Sequence, residues 1–278
     1  MMNTKDKYFR YFVYLGLLIG LVFSTFPVIW IVSSSFKSNT EIFSLPPKII
    51  PESITFIAYI SIFEDNEKIR FFINSYFVSI VVTALTLIIA ILSGYSFSRY
   101  NFKFKRFLNL TIISTQTIPP ISLLIPYFGI VIFFKIFDTY MALVLTYLVF
   151  TLPYATLMMT SYFNSLPKEL DDAVLVDGGS QFQALWKVIV PISLPGIVAT
   201  CVYTFLLCWN EFLFALTLTK STEMRTLPIG IQLLMGQHSY EWNEMMAMSI
   251  LGTLPILLLY LFAQRYFIAG LTSGSVKL

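Results

Sequence analysis

The chain has 278 residues, of which 57% are hydrophobic and only 12% charged, against about 25% charged in ordinary soluble domains. With a mean hydropathy of +0.77, so much apolar surface needs lipid as its solvent, which excludes an ordinary soluble enzyme. The formal charge of +3, with no basic run interleaved with aromatics, carries no footprint of nucleic-acid binding.

Charge-free runs mark the elements in chain order. They lie between Arg10 and Lys37, Arg70 and Arg99, Arg106 and Lys135, Asp138 and Lys168, Lys187 and Lys220 (interrupted only by Glu211), and Glu244 and Arg265. Each holds at least 20 residues, enough to cross a hydrocarbon core of roughly 30 Å. The expected fold is an all-α polytopic membrane protein with six transmembrane helices, near 11–33, 72–96, 108–134, 140–163, 194–219 and 245–266. The first run is too long for a cleaved signal peptide, and no A-x-A site follows it.

The loop 38–71 carries Pro46, Pro47 and Pro51, then Glu64, Asp65 and Glu67, and is expected to lie along the surface. The third span carries Pro119-Pro120 and Pro126, each of which removes a backbone donor and frees a carbonyl. Two readings follow: a broken helix facing a cavity, or a kinked helix that merely packs. In the fifth span Cys201 and Cys208 would lie about 10 Å apart on one helix, beyond disulfide reach, and read as packing residues. His238 is the single histidine, so neither a metal cluster nor a Ser-His-Asp site is available. There is no G-x-x-x-x-G-K-[ST], so ATP cannot be held here by a P-loop.

Residues 165–195 form the longest break between apolar segments in the second half of the chain, and read as two short helices around a turn. Pro167 suits a first helical turn. Leu166, Leu170, Ala173, Val174 and Asp177 are predicted on one face, with Lys168, Asp171 and Asp172 pointing elsewhere. Gly178-Gly179 stops the first helix, Gly178 taking a positive φ. Ser180 with Gln183 forms a capping box for the second, which carries Phe182, Leu185, Trp186 and Ile189 and ends at Pro191. Lipid binding by an interfacial helix is disfavoured, because Asp171, Asp172 and Asp177 would face an anionic leaflet. The shape is one for docking.

Orientation follows from Lys and Arg placement. With both termini in the cytoplasm, eleven basic residues lie inside and seven outside. The short loop from Arg99 to Arg106, with Lys103 and Lys105, is purely basic and falls inside, together with 165–195.

The same stretch resembles the cytoplasmic coupling loop of ABC importer permeases, whose motif runs E-A-A, three residues, G, nine residues, I-x-L-P. Here Asp172-Ala173-Val174, Gly178, and Val188, Val190 and Pro191 stand at those positions with the spacing kept. Further matches are similar to the carbohydrate branch of the maltose-permease type. They are Pro167-x-Glu169-Leu170 with Asp177-Gly178, Trp209-Asn210-Glu211-Phe212, Gln264-Arg265-Tyr266-Phe267 and Gly270-Leu271-Thr272-Ser273-Gly274-Ser275-Val276-Lys277. Asn74-Ser75 and Gly94-Tyr95-Ser96-Phe97-Ser98-Arg99 fit as well, so the resemblance covers nearly the whole chain.

The resemblance implies a single permease domain over 1–278, with 165–195 as coupling loop between helices 4 and 5 and 268–278 as a tail. It implies a bacterial cell-membrane location and four partners in kind: a second permease subunit, two ATPase subunits, a solute-binding protein outside the cell, and the bilayer itself. This chain would be no enzyme and bind no cofactor; ATP and Mg would sit in the partner ATPase. Candidate ATPase-docking residues are Glu169, Asp172, Ala173, Val174, Asp177 and Gly178, with Gly274, Ser275, Val276 and Lys277 in the tail. Candidate solute-path residues are Asn74, Gln116, Asn210 and Glu211, each with an alternative role as interhelical glue. Glu211, in the outer half of its span, could line the path, bond a neighbouring helix or reach outward. An ion-coupled secondary transporter is the rival class, but such proteins show repeats and several membrane ionisable groups, and this chain shows no repeat and one membrane acid. Permeases for amino acids, peptides or phosphate esters share the coupling loop and stay open as alternatives.

Overall fold

The structure, a computed structural model, describes residues 4–236 and 241–273. Gly274, Ser275, Val276, Lys277 and His238 lie outside the described residues. Among the described residues four helices are long and apolar enough to cross a membrane: Phe9–Ser35, Asn66–Arg99, Tyr140–Asn164 and Trp242–Tyr266. Two bent helix pairs add to them, Lys105–Thr115 with Pro120–Phe133 and Gln181–Ile192 with Leu194–Trp209, which gives up to six spans.

The chain divides into two compact units, one of residues 1–68 with 231–253 and the other of 69–230 with 254–278. In the first, α1 (Thr4–Ser35) is apolar all round and exposes the side chains of its membrane stretch. A helix of that kind is covered by lipid or by another subunit. Beyond it the loop is tied down. Phe36 packs edge-on against Phe56 at 5.4 Å between ring centres, and Ser35 shares a 2.8 Å hydrogen bond with the Tyr59 hydroxyl. Lys37 is buried, yet its ammonium donates to the Lys48 carbonyl and lies 4.8 Å from the Trp30 ring centre. Two short helices, α2 (Asn39–Ile42) and α3 (Ile57–Glu64), complete this segment. Lys68 pairs with Glu244 at 2.6 Å, and Asn39 donates to Glu241 at 2.6 Å.

The second unit holds the rest of the helices. They are α4 (Asn66–Arg99), α5 (Lys105–Thr115), α6 (Leu124–Phe133), α7 (Tyr140–Asn164), α8 (Glu169–Val176), α9 (Gln181–Ala184), α10 (Val190–Ile192), α11 (Leu194–Trp209), α12 (Leu213–Leu218) and α13 (Leu227–Leu233). The last, α14 (Trp242–Ser273), contributes to both units. Two cores hold the second unit. One joins Val78, Val82, Leu143, Tyr147, Phe214 and Leu218 from α4, α7 and α12. The other joins Ala90, Tyr95, Met159, Phe163, Leu185 and Ile189 at the opposite end of α4 and α7. At the second core α4 and α7 approach so closely that a Cβ on Gly94 would stand 2.8 Å from the Met159 Cβ. Small residues allow such contacts in membranes, and the buried Thr86 and Thr151 hydroxyls bond across the same seam at 2.8 Å.

Three expected spans differ from the structure. The third is broken rather than kinked: α5 and the stretch Pro120–Phe133 meet at 98°, because Pro119 and Pro120 cannot supply N–H groups to continue the ladder. The fifth is not continuous to 219, since α11 ends at Trp209 and α12 starts at Leu213. The sixth runs on to Ser273 instead of stopping near 266, so the expected tail 268–278 begins as helix.

Candidate functional site

Residues 165–195 fold as two helical segments around a glycine turn. The first, α8, starts beyond Pro167 with Glu169, Asp171 and Asp172 in its first turn, where carboxylates complement the helix dipole. It stops in a Schellman turn: Gly179 N–H donates to the Val174 carbonyl at 2.8 Å and Gly178 N–H to the Leu175 carbonyl at 3.0 Å. Gly178 has a φ of +81°, the left-handed conformation that glycine adopts without cost. Ser180 and Gln183 then make both halves of a capping box and start α9. The helix widens to a π-turn at Leu185–Ile189 and runs on through α10. Pro191 does not end it; the break falls at Ser193, because a proline near the start of a helical turn needs no N–H partner.

The face of α8 that packs inward differs from the expected one. Leu166 and Leu170 do pack inward, but so does Asp171, which is only 4% exposed, while Ala173 and Asp177 face outward. The reason is Arg99, at the end of α4. Its Nε donates to Asp171 Oδ2 at 2.8 Å, and both side chains are 6% exposed. Its Nη1 donates to the Phe163 carbonyl at 3.0 Å and the Leu166 carbonyl at 3.4 Å. One turn earlier on α4, the Tyr95 hydroxyl donates to Asp171 Oδ1 at 2.5 Å. The same hydroxyl lies 2.8 Å from the Gln181 side-chain amide oxygen, at the start of α9. Periodicity alone could not place Asp171, because a buried carboxylate needs a partner distant in sequence.

What α8 and α9 leave outside is an exposed surface of mixed character. Glu169, Asp172, Ala173, Asp177 and Gly178 are exposed, as are Leu175 and Val176, the latter at 86%, and Val174 is half-buried. Phe182 and Trp186 stand beside them, edge to face at 6.0 Å. The surface is therefore apolar at its knob and acidic around it.

The polar candidates within the spans fall in separate places. Asn74 is fully buried; its amide donates to the Glu223 and Arg225 carbonyls at 2.8 and 2.7 Å and accepts from the Tyr140 hydroxyl at 2.6 Å. Gln116 is exposed at the end of α5, beside the break. Asn210 is exposed at the end of α11 and donates to the Leu206 carbonyl at 2.9 Å. Glu211 sits in the gap between α11 and α12 and accepts from the Tyr147 hydroxyl at 2.8 Å, so it does bond a neighbouring helix. It also edges a pocket of about 190 Å³ with Pro120, Tyr147, Phe150, Thr151, Cys208 and Phe214, so the two helix breaks meet at one cavity.

The profile of the family described as the binding-protein-dependent transport system inner membrane component matches residues 86–272, from the middle of α4 through the coupling segment to α14. The chain belongs to this family. The importer subunit is 36% identical over 259 residues, 93% of its length and 91% of the relative's, to the sulfoquinovosyl glycerol transport system permease protein SmoH of Agrobacterium fabrum. It is 31% identical over 271 residues to the trehalose/maltose transport system permease protein MalG of Thermococcus litoralis, covering 96% and 97% of the two chains. It is also similar in fold to a chain in the crystal structure of a bacterial ABC transporter involved in the import of the acidic polysaccharide alginate. That match has a TM-score of 0.83 at 21% identity and covers 96% of this chain and 99% of the other.

Proposed function

We propose that the subunit serves a carbohydrate importer and that α8, the Gly178 turn and α9 receive a cytoplasmic ATPase. The observation that carries the docking half is the exposure of Ala173, Val176, Asp177 and Phe182 while Asp171 anchors the same helix. An apolar knob with an acidic border fits an apolar cleft with a basic rim. The carbohydrate half rests on relatives named for a sulfoquinovosyl glycerol and for trehalose and maltose, matched over more than nine-tenths of the chain.

In this reading both termini are cytoplasmic, and the partners are a second permease subunit, two ATPase subunits and a solute-binding protein outside. ATP and Mg bind in the ATPase, whose closure moves the docking element, and the spans then tilt between inward-open and outward-open arrangements. The residues 274–277 add a second contact with the ATPase. Asn74, Gln116, Asn210 and Glu211 bear on the solute path, Glu211 through the cavity it edges.

The test is Ala173→Arg in a reconstituted complex. A long cation on the knob should abolish stimulation of ATP hydrolysis by the loaded binding protein, with insertion of the subunit unchanged. Wild-type stimulation and uptake in that variant would remove α8 as the docking element.

A further inference from the structure

We infer that the Arg99–Asp171 pair is the joint through which movement of α8 enters the membrane, and that it enters through α4. This rests on the docking reading above and adds a route to it. Along the chain α8 is connected by the segment 165–168 on one side and by the Gly178-Gly179 turn on the other, and neither link is helical. The further connection is lateral, through a buried ion pair to a helix that ends 72 positions earlier in sequence.

The geometry of that connection resists pivoting. The Asp171 carboxylate is held by two side chains of one helix, Arg99 at Oδ2 and Tyr95 at Oδ1, four residues apart on α4 and therefore on one face of it. Two points of attachment on one helix prevent rotation about either. The same guanidinium also holds the end of α7 through the Phe163 carbonyl and the link that follows through the Leu166 carbonyl, and Tyr95 reaches Gln181 at the start of α9. One cluster thus fixes α4, the end of α7, α8 and α9 as a single body. Opening it would strand a charge in a site where both partners are 6% exposed, so the pair stays closed while the transporter cycles. Arg99, Tyr95 and Asp171 are positioning residues, which act through the helices they hold together.

The experiment uses the assembled complex in lipid nanodiscs, with Cys201→Ala and Cys208→Ala as background. Spin labels at Leu92→Cys on α4 and Lys168→Cys beside α8, both exposed, report their separation with and without trapped ATP. The expected separation is the same in both states, and in an added Asp171→Asn it becomes nucleotide-dependent. Solute imported per ATP hydrolysed should fall at least tenfold in Asp171→Asn and Arg99→Met, and less in Tyr95→Phe, with the ATPase still co-purifying. A wild-type separation that changes with nucleotide overturns the joint, as does normal import per ATP in Asp171→Asn. Loss of ATPase co-purification in Asp171→Asn also overturns it, because the pair would then only shape the docking surface. Failure of the docking reading itself is separate: there Ala173→Arg has no effect.

Discussion

The Tyr147 hydroxyl of α7 donates to the Glu211 carboxylate at 2.8 Å, and the same carboxylate accepts the N–H groups of Phe214 and Ala215 at 2.9 and 3.0 Å. One side chain thus occupies the gap between α11 and α12, satisfies the first donors of α12 and ties the gap to a neighbouring helix. In a membrane there is little water to take over those donors. Glu211→Ala should therefore destabilise the subunit by about 2–4 kcal/mol, since three donors lose their acceptor. Glu211→Gln should cost less, because its amide oxygen still accepts from the backbone. Thermal unfolding in detergent checks this, and an unchanged midpoint in the alanine variant would show that the break holds itself.

Much of the fold was legible because membrane helices announce themselves by length and by the absence of charge. The four uninterrupted spans agree with the expected ones, with helices that run on beyond the apolar stretch, as α14 does to Ser273. The glycine stop and the capping box of the coupling segment were legible for a local reason: both are set by contacts within a few residues, as in Ser180 with Gln183. What failed was long-range. Helical spacing points Asp171 away from the packing face, and only Arg99 and Tyr95, 72 and 76 positions away, explain its burial. The break at 210–212 was hidden because no proline or glycine marks it. Its cause is Glu211, whose carboxylate replaces the missing turn with side-chain bonds. The prolines at 119–120 did mark a break, but composition could not say whether the helix would bend or part.

Gly94 is a point of close approach between α4 and α7, where an added Cβ would also stand 3.0 Å from the Thr160 nitrogen. Backbone cannot move aside as a flexible side chain can. Gly94→Val should therefore push the two helices apart and cost about 1–3 kcal/mol. Because Tyr95 follows directly, the variant should also loosen the α8 anchor. Its unfolding midpoint should fall while Ser93→Ala, on the same turn, stays near wild type.

Asp138, in the link between α6 and α7, holds the segment after α12. Its carboxylate accepts from the Lys220 N–H at 2.8 Å and the Ser221 N–H at 3.1 Å. Partial burial opposes its charge, but those bonds and the Arg225 guanidinium outweigh it, so its carboxyl is held below the ordinary range. A depressed folded-state value means stability that is present above the unfolded value, near pH 4, and lost as pH falls through the folded one. Asp138→Asn should flatten that acid limb of the stability profile and lower stability at neutral pH. An acid limb unchanged in the variant would assign it to other carboxylates.

The proposed orientation puts the basic loop 99–106 inside the cell, which labelling can test. Phe104 is 61% exposed at that loop and Lys220 is exposed beyond α12, so both accept a cysteine without disturbing the core. In a background lacking Cys201 and Cys208, a membrane-impermeant thiol reagent added to intact cells should label position 220 and spare position 104. The reverse pattern would invert the orientation and put α8 outside.

Gly178 separates two effects that one substitution usually mixes. Its φ of +81° strains any side chain, yet a Cβ there meets nothing within 4 Å. Gly178→Ala should therefore cost roughly 1 kcal/mol in local helix-stop stability and leave the surface nearly flat. Gly178→Trp carries the same backbone strain, but adds a large ring on the exposed turn between Val176 and Phe182. If the turn is the seat of an ATPase, alanine should reduce uptake modestly, whereas tryptophan should abolish it and disconnect ATP hydrolysis from the loaded binding protein. If strain were the whole effect, the two variants would fail to the same degree. The deciding measurement is binding-protein-stimulated ATPase activity of both variants in proteoliposomes, with subunit assembly checked by co-purification. Equal activities would take the turn out of the interface and leave it as a helix stop.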